Sequence, residues 1–324
     1  MEVAERDRPA GRWFRGDCHV HSVYSDGALT PPELAAVARS LGLDFLATTD
    51  HNTTAAHEAW RHEGIARELV IILGEEVTTG DGHWLALGVP SGQLVDWRYT
   101  ADDTIAAQLD VVHEVGGICV VAHPYAPYPS GTFMYPYDGF DAIEVWNGAW
   151  DSNLPWQANN EKALAHWASR LVIDVPAGCW MPAIGNSDTH LSGQMGVPHN
   201  VVAADRLCAD ELVTSIKAGR SWISSAPTIE LSLTATADNQ CVQIGGELTT
   251  NGEPAMVRAA ITGIPFRTIT IHTESGPIHT ESLSNTGIGE LSRLLPVAST
   301  FVRMEARARS GHMAALSNPI ILRG

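Results

Sequence analysis

A rhythm that runs for about two hundred residues and then stops constrains the fold of this chain more than any other feature. From residue 16 to residue 225, short apolar runs alternate with amphipathic helical ones. "CHVHS" reads as a strand. "TPPELAAVARSLG" reads as the helix after it, with Thr30 and Glu33 spaced as a capping box, Pro31 at the first helical position and Gly42 at the stop. Leu34, Val37, Ala38 and Leu41 recur at the spacing of one helix face. "DFLATTDH" is the next strand, and residues 54–67 read as a polar helix. "LVIILGEEV" and "HWLALGV" follow as strands, "DDTIAAQLDVVHEVGG" as a helix, and "ICVVAHP" and "AIEVWN" as strands. A helix near 158–170, the strands "PAIGNSD" and "NVVAA", and the helix "ADELVTSIKAG" complete the series. Such alternation predicts an α/β fold built on a parallel sheet or barrel.

From Pro227 the helices cease. Runs such as "TIELSLTAT", "AMVRAAITG" and "FRTITIHTE" are β-branched, and Val257, Ala259 and Ile261 alternate with Arg258, Ala260 and Thr262. Period-two runs broken by Gly, Pro and Asn predict a small antiparallel β-sandwich. All ten tryptophans precede it. The expected division is therefore 1–226 and 227–324.

Composition removes several classes of function. No apolar run among the 324 residues approaches the roughly 18 that a membrane span needs. The start, "MEVAERDRPAGRWFRGD", has no apolar signal-like stretch, so the expectation is a cytoplasmic protein. Cysteines 18, 119, 179, 208 and 241 are odd in number and form no CxxC, so reduced thiols are expected. The net charge of −17 is uneven: up to Ala226 there are 13 Lys and Arg against 29 Asp and Glu, and beyond it 7 against 8. That excess, with no basic patch, argues against long nucleic acid and for a small-molecule substrate with bound cations.

The chemistry is written at the strand ends. His19 and His21 end the first strand, with Asp26 in the loop after; Asp50 and His51 end the second; Glu75 and Glu76 lie in "VIILGEE". His83 opens "HWLALG", His123 ends "ICVVAH", Glu144 lies in "AIEVW", and Asp188 and His190 end "AIGNSDTH". In parallel α/β folds the carboxyl ends of strands converge on the functional site. Residues i and i+2 of a strand share a face, so His19 pairs with His21 and Asp188 with His190. Imidazole and carboxylate together suit zinc, manganese or iron, and the number of ligands exceeds the need of one ion.

The stretches "DCHVHSVYSDG", "TTDHN", "GEEVTTGDGH", "VVAHP" and "GNSDTH" resemble, in order, the motifs of the PHP (polymerase and histidinol phosphatase) superfamily. The wording "SDGALTPPELAAVARSLGLDFLATTDHN" and the ending "ALSNPIIL" are most similar to the CehA/McbA branch, which includes a carbaryl hydrolase. The resemblance implies a distorted (β/α)7 barrel, followed here by the sandwich, and two or three divalent metal ions. It implies that His19, His21 and Asp188 hold the first ion, that His83 and His123 complete the second, and that Asp26, His51 and His190 hold a third. Either Glu75 or Glu76 is placed to bridge; the family pattern of Gly, any residue, Glu points to Glu76.

Such a centre lowers the pKa of a bound water, and the expected reaction is attack by a metal-bridging hydroxide on an ester. Glu76, Asp188 and His190 are the expected catalytic groups, and His190, Asp188 or a metal-bound water could protonate the leaving group. Asp17 and Asp50 are candidates to orient the ligating imidazoles. Glu144, Asn147, Tyr125, His199 and Arg220 are candidates to touch substrate, and Arg98 and Lys162 to bind its anion. The aromatic-rich loop 124–139 and the five tryptophans from 146 to 180 read either as a lid or as packing. The eight histidines outside the proposed ligand set, His199 included, otherwise read as surface or structural, with His57 and His62 on the polar helix. The first functional reading is a phosphoester hydrolase, and the shortage of Lys and Arg near the motifs favours a phosphodiester over a monoester. A carboxyl-ester or carbamate hydrolase is the alternative, and a degenerate metal-binding interaction protein is the third.

Overall fold

The computed structural model describes residues 11–61, 65, 69–92, 95, 105–264, 267–283 and 286–324. Arg98 and His62 lie outside these residues, as does much of the expected helix 54–67.

Among the described residues, the first part holds the strands β1 (Arg12–Asp17), β2 (Phe45–Thr48), β3 (Val70–Thr79), β4 (Gly82–Leu87), β5 (Ile118–Val121), β6 (Ala142–Asn147), β7 (Ala183–Asn186), β8 (His199–Ala204) and β9 (Ser221–Ser224). Its helices are α1 (Pro31–Ser40), α2 (His57–Trp60), α3 (Ile105–Glu114), α4 (Asn160–Ala177) and α5 (Ala209–Lys217). At the start of α1 the Glu33 carboxylate accepts the Thr30 backbone N–H at 2.8 Å, which satisfies one of the orphan donors of a helix start. Leu34 and Ala38 of α1 are buried against the sheet.

The sheet runs β9-β8-β1-β2-β3-β4-β5-β6-β7. It is mixed and not closed, which departs from the distorted (β/α)7 barrel expected from the resemblance. β1–β2, β2–β3, β5–β6 and β6–β7 are parallel. β4 is antiparallel to both β3 and β5. The cause lies in the two residues between β3 and β4: a parallel return needs a crossover of about a dozen residues, so so short a link makes a hairpin. At the seam no ladder joins β7 to β1 among the described residues; one bridge, Val20 to Thr189, joins the chain beyond them. Side chains fill the gap. Asn186 accepts the Cys18 N–H at 2.9 Å, and Asn200 accepts the Gly185 N–H at 3.0 Å.

The β-rich tail comprises β10 (Glu230–Ala237), β11 (Gln240–Gln243), β12 (Glu247–Thr249), β13 (Met256–Thr262), β14 (Arg267–Thr273), β15 (Gly276–Ser282), β16 (Gly289–Leu294), β17 (Phe301–Ala308), β18 (Met313–Ser317) and β19 (Ile320–Arg323). β11-β10-β13-β16 form a separate antiparallel sheet. β17, β18 and β14 extend the main sheet, because β18 pairs with β9. Leu231 and Val257 of the separate sheet share one buried cluster with Ile271 and Met304 of the extension and with Val201 and Trp222 of β8 and β9. The tail also stitches the seam: buried Asn318 accepts the Ala183 N–H at 2.8 Å and donates to the Ser221 carbonyl at 3.1 Å. All five cysteines are free. No helix among the described residues is long and apolar enough to cross a membrane.

Candidate metal centre and its cavity

His19 and His21 follow β1, His51 follows β2, His123 follows β5 and Asp188 follows β7, so the parallel strands deliver them to one end. β4 runs the other way, so the start of this strand, where His83 sits, lies at that same end. Glu75 and Glu76 point to opposite faces because strand side chains alternate. The Glu76 carboxylate meets the histidines, whereas Glu75 accepts the Val95 N–H at 2.6 Å on the far face. Burial raises the Glu75 carboxyl to about 7.

Glu76 is the hub. Its Oε1 lies 2.9 Å from His83 Nδ1 and 3.0 Å from His123 Nε2. Its Oε2 lies 3.1 Å from His19 Nε2, 3.2 Å from His21 Nε2 and 2.9 Å from His51 Nδ1. Asp188 Oδ1 lies 3.1 Å from His21 Nε2 and 3.3 Å from His19 Nε2. Asp26, half exposed at the rim, lies 3.2 Å from His190 Nε2 and 3.7 Å from His51 Nε2. Four groupings of these residues bring their donor atoms within 4.8 Å of one another: His21, Asp26, His51 and His190; His19, His21 and Glu76; His19, His123 and Asp188; His51, Glu76 and His83.

The donor set fits divalent cations. His19 Nε2, His83 Nε2, His123 Nδ1 and Glu76 Oε2 are buried with no hydrogen-bond partner, an arrangement that is costly unless something else satisfies them. Burial works against ionised Glu76, yet the surrounding imidazoles hold its carboxyl well below the ordinary range. His123 and Asp188 adopt positive φ, +24° and +52°, a strained conformation of the kind that clusters at functional sites. Gly27 allows the Asp26 loop to close, since a Cβ there would stand 2.4 Å from the His21 carbonyl oxygen.

Other expected roles are redistributed. Asp17 touches no imidazole side chain; it accepts backbone N–H groups of Ser187 and Gly196, each at 3.1 Å, and burial raises it to about 6. Asp50 accepts from Ser22 Oγ at 2.7 Å and Ser25 Oγ at 2.6 Å, anchoring the loop that carries Asp26. Glu144 is the carboxylate on an imidazole, 2.8 Å from His19 Nδ1, and it also accepts the His123 N–H at 2.8 Å. Asn147 reaches the centre, donating from Nδ2 to Asp188 Oδ2 at 3.3 Å. Tyr125, His199 and Arg220 do not line the cavity. Tyr125 Oη meets His166 Nδ1 at 2.7 Å and its ring carries Lys162. His199 is buried beside Arg15, and burial pushes it down to about 4. Arg220 Nη2 donates to Ser215 Oγ.

The cluster floors a cavity of about 660 Å³. Tyr128 and Trp156, both from the aromatic-rich stretches read from the sequence as either lid or packing, line it. Phe133 of the same stretches packs edge to face with Tyr137 and with Phe140 just beyond the loop, and Trp146, Trp150 and Trp167 are buried. The aromatic segment thus supplies wall and core together.

Carboxylates and imidazoles that converge at strand ends beneath an open cavity define a metal-dependent hydrolase. The PHP domain family model matches residues 17–108, and the PHP-associated family model matches residues 180–221. An uncharacterized protein of Methanocaldococcus jannaschii is 25% identical over 151 residues, 41% of this chain and 82% of that one. A phosphoribosyl 1,2-cyclic phosphate 1,2-diphosphodiesterase of Eggerthella lenta is 38% identical over 82 residues, 24% of this chain and 31% of that one. The fold is shared with a two-domain protein from Bacteroides vulgatus containing a predicted PHP-like metal-dependent phosphoesterase, with a TM-score of 0.56 and 13% identity over 98% of this chain and all of that one.

Proposed function

We propose that the protein is a metal-dependent phosphodiesterase of a small organic substrate. The observation that carries the reading is Glu76, whose two oxygens face two different sets of imidazoles. His19, His21 and Asp188 would hold one ion, His83 and His123 a second, with Glu76 shared, and Asp26, His51 and His190 a third; manganese, zinc and iron all suit these donors. Bound there, the ions supply Lewis acidity toward a phosphoryl oxygen and an activated water.

The chain supplies the rest. Glu144 fixes the ring of His19. Asn147 presents an amide donor to the cavity beside Asp188. His190 lies partly exposed at the mouth, 3.2 Å from Asp26, among the donors that would hold the third ion. Water oxygen joins phosphorus, the bond from phosphorus to the leaving oxygen breaks, and a monoester and an alcohol result. Among the described residues lining the cavity there is no Lys or Arg, which supports a singly charged diester over a doubly charged monoester. We place the chemistry in residues 1–226 and a bracing role in 227–324, and the wording of the first motif supports membership of the CehA/McbA branch.

The manganese-loaded protein is expected to hydrolyse bis(p-nitrophenyl) phosphate well above p-nitrophenyl phosphate, a naphthyl ester and a short single-stranded RNA, with His21→Ala as blank. Preference for the naphthyl ester would move the enzyme to the carboxyl-ester class, and preference for the RNA would overturn the small-molecule reading.

A further inference from the structure

Resting on the phosphodiesterase reading, we infer that the substrate carries a flat, uncharged ring that packs on Trp156, so that the centre binds an aryl-sized phosphodiester with a single negative charge. The cavity is far larger than a phosphate group needs, and its walls differ in kind. One wall is the cluster around Glu76. The other is apolar and open: Trp156 is 53% exposed, Leu154 44%, Leu191 55% and Val197 44%, and all four line the cavity. Trp156 stands apart from its neighbours, since Trp146, Trp150 and Trp167 are 1%, 7% and 2% exposed. An indole left half in water at the wall of a site marks a place where a ligand ring completes the burial.

The wall is built rather than loose. Asn160 Nδ2 donates to the carbonyls of Asn147, Ala149 and Trp150 at 3.1–3.2 Å, and Gln157 Nε2 donates to the Asn147 carbonyl at 3.2 Å. Trp150 Nε1 donates to Glu161 at 2.9 Å, on the helix that follows. These bonds hold the segment before and after Trp156 against the same strand that supplies Glu144 and Asn147. The wall therefore stands at a set distance from the centre, and a ligand gains from both without ordering a loop. Charge sets the second half of the specificity. Among the described lining residues no Lys or Arg is available for a second phosphate.

The test uses binding, so that it does not depend on turnover. Calorimetry on the manganese-loaded full chain compares phenyl methylphosphonate with methyl methylphosphonate, two singly charged anions that differ in the ring. The wild type is expected to bind the phenyl compound roughly tenfold to a hundredfold more tightly, the usual effect of one stacked ring. Trp156→Ala should abolish that preference and Trp156→Phe should keep most of it; Trp156 is half exposed, so the fold survives, as circular dichroism would verify. Equal affinity of the wild type for the two anions, binding of neither, or a preference that persists in Trp156→Ala would overturn the inference. Ring preference with no hydrolysis of any phosphodiester would instead sink the phosphodiesterase reading and leave the ring site standing.

Discussion

At the strand ends, Glu76 sits among five imidazoles; on β17 of the tail, Glu305 sits among two guanidiniums and one imidazole. Both carboxylates are buried, yet their surroundings differ in kind. Glu305 lies 2.7 Å from Arg303 and 3.0 Å from Arg307, fixed cations that neutralise it within the chain. Arg307 goes on to Glu161 of α4 at 2.6 Å and stacks on Trp150, and Arg303 stacks on Trp167, so the tail cluster clamps the helix that backs the cavity wall. Arg303 and Glu305 leave no side-chain atom buried without a partner, and the one unpaired ring nitrogen there, His272 Nε2, lies 3.4 Å from Glu305. Around Glu76 the partners are imidazoles rather than fixed cations, several carboxylates converge, and ring nitrogens remain unpaired. A cluster that closes on itself is a brace; one whose lone pairs converge is completed by cations from outside.

The largest expected effect lies at the open cluster. Glu76→Gln should lose bound metal, and phosphodiester hydrolysis should fall by roughly a thousandfold or more, the scale expected when the group that aligns a metal centre is removed. Metal analysis and kcat on the same sample decide it, and a variant that keeps both metal and turnover would erase the contrast between the clusters.

Arg303→Met reverses the pattern. Removing one partner of a buried ion pair costs about 3–5 kcal/mol, so the denaturation midpoint should drop while metal content stays at the wild-type level. Loss of metal without loss of stability would mean that the tail cluster serves the site and not the fold.

The smallest effect is in pH. Burial, with Arg303 beside it, pushes His272 down to about 4. Above pH 6.5 the ring is neutral in both the folded and unfolded chain and contributes no pH dependence. As pH falls from 6.5 to about 4 the unfolded ring takes a proton that the folded one refuses, so stability is lost over that window and levels off below it. The loss for one such ring is on the order of 3 kcal/mol. His272→Gln should therefore narrow its stability gap to, or overtake, the wild type as pH drops from 7 to 4, read from the thermal midpoint of each. Parallel curves for the two proteins would show that His272 titrates normally.

Much of the site is legible in the sequence because strand-end position and side-chain type are local properties. "DCHVHS", "TTDHN" and "GNSDTH" place imidazoles and carboxylates just past apolar runs, and the parallel strands bring those ends together whatever the details of packing. Alternation also separates Glu75 from Glu76, although it leaves open which of the two faces inward. Partnership is what remained hidden. Asp17 and Asp50 are next to ligands along the chain, so they read as carboxylates for imidazoles, yet they hold loop N–H and hydroxyl groups; Glu144, more than a hundred residues from His19, takes that place. Hydrogen bonds between strands ignore distance along the chain.

By itself, then, the sequence determined the α/β alternation, the change to β structure after residue 226, and the inventory of His, Asp and Glu that the strands present, because periodicity and residue type act over a few positions at a time. Only the tertiary structure decided that β4 turns back, that the sheet stays open at a seam closed by Asn186, Asn200 and Asn318, and that Trp156, not Tyr125, forms the cavity wall. Those outcomes depend on which strands lie side by side, and that is settled by the packing of the whole chain rather than by any stretch of it.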